Sequence, residues 1–367
     1  MSPLPAVRVT SPAKLNLGLE ILGRRPDGYH ELVTVFQAIS LADRVDLALE
    51  PHPGIRLQVV PSTLDLGPPG ENLAVRAAQL LMADLTRPPG LRIRLRKQIP
   101  AGAGLGGGSS NAAATLAGLA FLLDRSLSPE QLEDLGSRLG SDVAFFVRGG
   151  CQVGVGRGEL LRPVTAPPDF WAVLVLPDIH LSTREVYGRL NLALTDPGPL
   201  ASLAPGSLTR DGSVGQVSNR RSGDGRAGDG RAGDGEAGDG QAGDGPAWDR
   251  PAGDRRAWDR PAGDWRAGDW PVGRPLMIPP DLWGRLHNDL EPVVLGLRPD
   301  LRGILESMKR FGARSARVTG SGSALFAVVD HREQGRRLLG RLTRQGIRAR
   351  LVRTEPGGCR IEPDVAR

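Results

Sequence analysis

Residues 100–111 read PAGAGLGGGSSN and run without a break into AAATLAGLAFLL. A glycine run ahead of a strong helix former constrains the fold around it. The backbone there must turn tightly, take positive φ values and approach something that a Cβ would exclude. With the free N–H groups of the helix start, the loop amides form a concave donor site suited to phosphate. Ser109 and Ser110 add hydroxyls that can donate or ligate a metal. A slack surface loop would need neither Pro100 before it nor an Ala/Leu-rich helix after it. The pattern is neither G-x-x-x-x-G-K-[ST] nor a clean dinucleotide fingerprint. A different phosphate-binding fold is expected.

The 367 residues suggest two domains. The start, MSPLPAVRVT, lacks an apolar h-region, and no stretch is long and apolar enough to span a bilayer. Two cysteines, Cys151 and Cys359, are too few for a disulfide framework. A cytoplasmic protein without membrane contact is therefore expected. The formal charge of +6 comes from arginines scattered along the chain rather than gathered in one stripe with aromatics. That argues against nucleic acid and fits attraction of a polyanionic small substrate. Of the 47 basic residues only Lys14, Lys97 and Lys309 are lysines. A position that stays lysine in so arginine-rich a chain calls for a compact ammonium.

Composition changes abruptly over 205–275. From Arg221 the chain repeats a five-residue unit (RSGDG, RAGDG, EAGDG, PAWDR and relatives) with no aliphatic residue larger than alanine. Such a tract cannot bury enough surface to offset its ordering entropy, and its aspartate spacing fits neither an EF-hand nor a calcium nonapeptide. It reads as a disordered low-complexity insertion in a surface loop.

Outside it, segment 7–21 (VRVTSPAKLNLGLEI) alternates, placing Leu15, Leu17, Leu19 and Ile21 on one face. Lys14 and Asn16 then share the other face, away from the core. Spacing predicts a helix over 72–85 and a strand over 91–99 that delivers the chain into the glycine loop. Ser128-Pro129-Glu130-Gln131 opens a helix with a capping box and ends near Gly140. A strand at WAVLVLP, helices near 282–296, 299–311 and 332–345, and strands at 315–319, 324–329 and 348–353 complete an α+β chain of two layers per domain.

Asp142, in GSDVAFFVRGG, is a charge set just before an apolar run. It is either an N-cap or a general base for a substrate hydroxyl. Lys14 can lower the pKa of such a base or steer the hydroxyl. In RRPDGYHEL, a Pro26-Asp27-Gly28 turn precedes Tyr29 and His30, which either pack or stack on and hydrogen-bond a ring. A second glycine cluster, Gly320-Ser321-Gly322, is either a tight turn or a second wall of a phosphate site.

SPAKLNLGLEI, RPDGYHEL, PAGAGLGGGSSNAA, GSDVAFF, HNDLEP and TGSGSALF together resemble the GHMP kinases, and in the same order. The glycine loop marks the superfamily. PAKLNLGL with RPDGYHEL resembles the branch that acts on a cytidine diphosphate-linked methylerythritol in isoprenoid precursor synthesis. Homoserine and mevalonate kinases share the loop but not the DGYHEL segment; they, or an idle nucleotide-binding paralogue, are the alternatives. The resemblance implies a ribosomal-S5-domain-2-like N-terminal domain over 1–163. It implies a smaller C-terminal domain over 164–367, interrupted by the insertion, with ATP and substrate in the cleft; magnesium is expected from the chemistry of ATP. It implies Asp142 as base and Lys14 as its catalytic partner. Pro100, Ala101, Gly102, Ala103, Gly104, Leu105, Gly106, Gly107, Gly108, Ser109 and Ser110 would hold the ATP phosphates, with Asn72 and Lys97 near the nucleotide. Asn16, Tyr29 and His30 would meet the substrate, and Thr183 and Tyr187 would contact cytidine. Ala101 and Ala103 stand where glycine is more common in the family, with the GLGGGSSN portion intact.

Overall fold

The computed structural model describes residues 5–165, 169–191, 198–203, 276–277 and 287–362. The pentapeptide tract, and with it the expected insertion over 205–275, lies outside the described residues. Strands β1 (Ala6–Arg24) and β2 (His30–Glu50) form a long antiparallel pair at the centre of an eight-stranded sheet. Outward from β2 come β5 (Cys151–Gly156), β6 (Leu160–Thr165) and β8 (Leu276–Met277). Along the other part of β2 lies β4 (Gly90–Arg96), which carries β3 (Ile55–Val60) parallel at the edge. The last strand, β12 (Arg360–Glu362), returns to pair with β1.

A second, four-stranded sheet runs β11 (Ala349–Arg353), β7 (Trp171–Val175), β10 (Leu325–Val329) and β9 (Ser315–Val318). Helices α1 (Leu73–Met82), α2 (Gly107–Leu122), α3 (Pro129–Ser137) and α4 (Val143–Arg148) follow the strands of the large sheet. Helix α5 (Thr183–Gly188) follows β7. Helices α6 (Glu291–Leu297), α7 (Asp300–Arg310) and α8 (Arg332–Arg344) belong to the small sheet.

Three apolar clusters hold these layers. One face of the large sheet (Val7, Val9, Val45, Leu47, Ile93) packs with α1, α2 and Phe145 and Phe146 of α4. Its other face (Leu15, Leu17, Val33, Val35, Val153) packs with Ala172, Leu174 and Phe326 of the small sheet. The outer face of the small sheet takes Leu301, Leu305 and Met308 of α7 and Leu338 and Leu342 of α8. Those side chains recur at helical spacing, and burying each one fully stabilises the fold by about 1.5–3 kcal/mol.

The predicted elements from 299 to 353 and the strand at 171–175 occur within a residue or two of their expected bounds. Ser128 caps α3: its hydroxyl accepts from Gln131 N at 3.3 Å, and its own N–H donates to Gln131 Oε1 at 2.8 Å. The helix expected over 282–296 begins only at Glu291. Residues 282–286 lie outside the described residues, and Asn288 forms a parallel bridge to Leu19 instead. A second difference concerns β1, where both faces are buried from Ser11 to Ile21, Lys14 at 4 % exposure and Asn16 at 3 %. The expected polar face does point away from the apolar core, but other parts of the chain cover it.

Candidate active site

The covering of that face builds the site. Pairing of β1 with β2 shifts register between Pro12 and Ala13, and β1 changes face there. Before the shift Val7 and Val9 pack against the helices; after it Leu15 and Leu17 join the core between the sheets. Such irregularities re-aim side chains. Lys14 and Asn16 are thereby left facing the glycine loop. The Lys14 N–H donates to the Leu105 carbonyl at 3.1 Å, which docks the loop on β1.

The loop itself turns through Gly102, Gly104 and Gly106 at φ +66, +76 and +70, values that favour glycine. A Cβ at Gly104 would stand 2.5 Å from the Thr319 carbonyl, and one at Gly106 2.7 Å from the Phe146 ring. Gly106 is the N-cap of α2 and has no side chain to cap it. The first-turn amides of this sixteen-residue helix therefore keep their capacity for an anionic ligand. Gly108 is exposed there and Ser109 partly so, whereas Ser110 is buried and its hydroxyl accepts from Ser11 at 2.7 Å.

The second glycine turn forms the facing wall. Ala324 N donates to the Ala103 carbonyl at 3.2 Å, and Asn16 N donates to Thr319 Oγ1 at 2.9 Å. A Cβ on Gly320 would lie 2.9 Å from Asn16 Oδ1 and 3.4 Å from Lys14 Nζ. Of the two readings of Gly320-Ser321-Gly322, the turn is therefore both tight and part of the cleft wall.

Lys14 Nζ donates to Asn16 Oδ1, stands 3.7 Å from Asp142 Oδ2 and lies 5.3 Å from the centroid of Phe36. Burial lowers the Lys14 pKa from its ordinary value, and the neighbouring Asp142 carboxylate opposes that shift. Asp142 stands at the N-cap position of α4 yet makes no side-chain cap bond, so its partly exposed carboxylate remains directed at Lys14. Asn16 is held in turn: its Nδ2 donates to Thr34 Oγ1 at 2.8 Å, and that hydroxyl donates to the Gly18 carbonyl at 2.7 Å.

Around this centre, the His30 ring meets Tyr187 of α5 at 5.3 Å between centroids, tilted by 38°. Burial first, and then the Asp142 charge, push the Tyr187 phenol above its ordinary range. Thr183 Oγ1 and Ser321 Oγ lie 3.0 Å apart, joining α5 to the second glycine turn. Tyr29 sits apart, 42 % exposed, with the Arg157 guanidinium 4.9 Å above its ring.

Two of the expected nucleotide residues have internal partners. Asn72 caps α1, its Oδ1 accepting from Ala74 N at 3.0 Å, and neighbouring Leu73 faces Gly108. Lys97 Nζ donates to Asp43 and, at 2.9 Å, to Asn111 Oδ1 beneath the loop. Asp43, fully buried, also accepts from the amides of Gln98 at 2.6 Å and Ile99 at 2.9 Å, which sets the chain's entry into the loop. Asn111 further donates to Ser11 Oγ at 3.0 Å.

This network escapes sequence reasoning because its members lie far apart in the chain and none forms a local pattern. Asn288 was also missed, although it stands inside HNDLEP. Its Nδ2 donates to the carbonyls of Val318 at 3.0 Å and Gly320 at 2.7 Å, fastening the second glycine turn. Among the described residues no group of three or more His, Cys, Asp or Glu is placed to hold a metal ion. No described helix is long and apolar enough to cross a membrane.

The family models of the GHMP kinases match this chain, the N-terminal domain over residues 72–150 and the C-terminal one over 280–348. Over 358 residues the chain is 32 % identical to 4-diphosphocytidyl-2-C-methyl-D-erythritol kinase of Shouchella clausii, covering 96 % of each protein. With the enzyme of that name from Bacillus velezensis it shares 33 % identity over 89 % of this chain and 90 % of the relative. A crystal structure of 4-(cytidine 5'-diphospho)-2C-methyl-D-erythritol kinase superposes with a TM-score of 0.62 at 30 % identity, covering 96 % of this chain and 99 % of the other. Homoserine kinase from Cytophaga hutchinsonii shares the fold, with a TM-score of 0.59 at 15 % identity over 99 % of each chain.

Proposed function

The chain belongs to the 4-diphosphocytidyl-2-C-methyl-D-erythritol kinases of the GHMP family, and we propose how its cleft performs that reaction. ATP gives its γ-phosphoryl group to the 2-hydroxyl of 4-diphosphocytidyl-2-C-methyl-D-erythritol, yielding the 2-phosphate and ADP. The observation that carries the residue roles is the facing of Lys14 and Asp142, 3.7 Å apart, at the mouth of an uncapped helix N-terminus.

Asp142 accepts the hydroxyl proton as the new O–P bond forms and the bond to the ADP oxygen breaks. Lys14, held by Asn16, offsets negative charge on the reacting oxygens. The amides of Gly107, Gly108 and Ser109 hold the phosphates. Phosphoryl transfer rests mainly on such positioning, so rigid backing of Lys14 by Asn16 and Thr34 matters as much as charge. Asn72 and Lys97 act on the nucleotide through the backbone they secure, Asn72 at the start of α1 and Lys97 beneath Gly107. His30, Tyr187 and Thr183 form the cytidine side of the cleft, with Tyr29 on its outer rim. We place the division between the two family domains at residues 163 and 164.

For magnesium, the described residues beside the phosphate cradle offer few hard oxygen donors, the partly exposed Ser109 hydroxyl at the start of α2 among them. That small set suits an ion that keeps most of its waters and arrives with the nucleotide. Its chemistry there is neutralisation of phosphate charge.

Phosphorus NMR of the product tests the assignment. The 2-carbon of this alcohol bears no hydrogen, so the new phosphate resonance should show no three-bond coupling to a carbinol proton. A split resonance would place the phosphate on another hydroxyl and refute the assignment.

A further inference from the structure

Between β7 and α5 the chain crosses the seam of the two glycine-rich turns, and His180 lies in that crossing. It is fastened on both sides to the second turn. Ser323 Oγ donates to the Ile179 carbonyl at 2.6 Å, and Thr183 Oγ1 meets Ser321 Oγ at 3.0 Å. The imidazole is exposed at the surface of the cleft. Its Nδ1 and Cε1 stand 2.1 and 2.3 Å from where a Cβ on Gly102 would be, so the ring rests on the backbone of the first positive-φ glycine of the phosphate loop. Among the described residues it has no hydrogen-bond or ion-pair partner. An imidazole with unspent nitrogens, set against the glycine loop, is placed to donate to an anion held there.

We propose that His180 is a further binding residue of this kinase, donating an N–H to a diphosphate oxygen of a bound nucleotide. The inference deepens the functional reading above and rests on it for the identity of the ligands. ATP and the cytidyl substrate both carry a diphosphate, and the experiment separates them. The competing role is packing alone, the flat ring serving only to cover Gly102.

Calorimetric titrations of cytidine, CDP, adenosine and ADP into wild type, His180→Ala and His180→Phe decide between these roles. Phenylalanine keeps a flat ring on Gly102 and removes both nitrogens. A lost hydrogen bond of this kind weakens binding by about tenfold. We expect both variants to lose roughly that much affinity for CDP, for ADP or for both, with cytidine and adenosine unchanged. The diphosphate that weakens identifies the nucleotide His180 touches. Wild-type affinity in His180→Phe beside a loss in His180→Ala would make the ring a packing element and overturn the proposal. Diphosphate affinities unchanged in both variants would overturn it equally. Because no turnover is needed, an inactive wild type would sink the functional reading without altering this comparison.

Discussion

At the scale of single residues, Lys14 carries a cost that its neighbours only partly offset. It is an ammonium at 4 % exposure, with one amide oxygen and one carboxylate nearby. Its lowered pKa means that the unfolded chain holds the proton more tightly than the folded one. The penalty is complete below the lowered value, and the group's contribution to stability rises with pH between that value and the ordinary lysine range near 10.4. Lys14→Met should therefore melt no lower than wild type at neutral pH, with a gain of about 1 kcal/mol that shrinks as pH rises. Its turnover should fall at least a hundredfold, as expected for a lost charge at the transferring phosphoryl group. Thermal melts over a pH series check the first part; a lower melting temperature at neutral pH would contradict it. Asp142→Asn should lower turnover by roughly 10²–10⁴ and leave ATP affinity unchanged, because the carboxylate moves a proton and does not hold the nucleotide. Equal losses in both would make Asp142 a binding residue.

At the scale of elements, the cleft exists because two glycine turns interlock over one strand. Gly104→Ala sets a Cβ 2.5 Å from the Thr319 carbonyl at a backbone φ of +76, so the two turns must part. Its KM for ATP should rise by about tenfold or more, while helix content by circular dichroism stays as in wild type. Asn288→Leu removes both bonds to the second turn and strands the buried Val318 and Gly320 carbonyls. Each orphan costs about 1–3 kcal/mol, so a fall of several degrees in melting temperature is expected by calorimetry.

The loop and helix α2 were legible in the sequence because glycine enrichment and helix propensity are local signals. The same holds for the α3 capping box and for alternation in β4. Burial of the polar face of β1 was not legible, since alternation reports which side chains share a face and not what covers it. Lys97 shows the same limit: its scarcity marked it as special, while its partners Asp43 and Asn111 come from β2 and α2.

At the scale of the whole molecule, the chain departs from an ordinary two-domain kinase by its repeated pentapeptide. That tract lies outside the described residues, and its composition offers little apolar surface to bury. Replacing Pro205–Arg274 with a short linker should leave kcat and KM within a few-fold of wild type. Lost activity in a shortened chain that still folds would assign the tract a role in catalysis. The central claim, that the glycine loop, Lys14 and Asp142 serve a cytidyl alcohol, is met most directly by coupled ADP release from purified protein with ATP and magnesium. 4-Diphosphocytidyl-2-C-methyl-D-erythritol, homoserine, mevalonate and galactose would run in parallel. The account predicts sustained turnover with the cytidyl substrate and none with the other three. Turnover with another alcohol alone, or silence with all four, would contradict it.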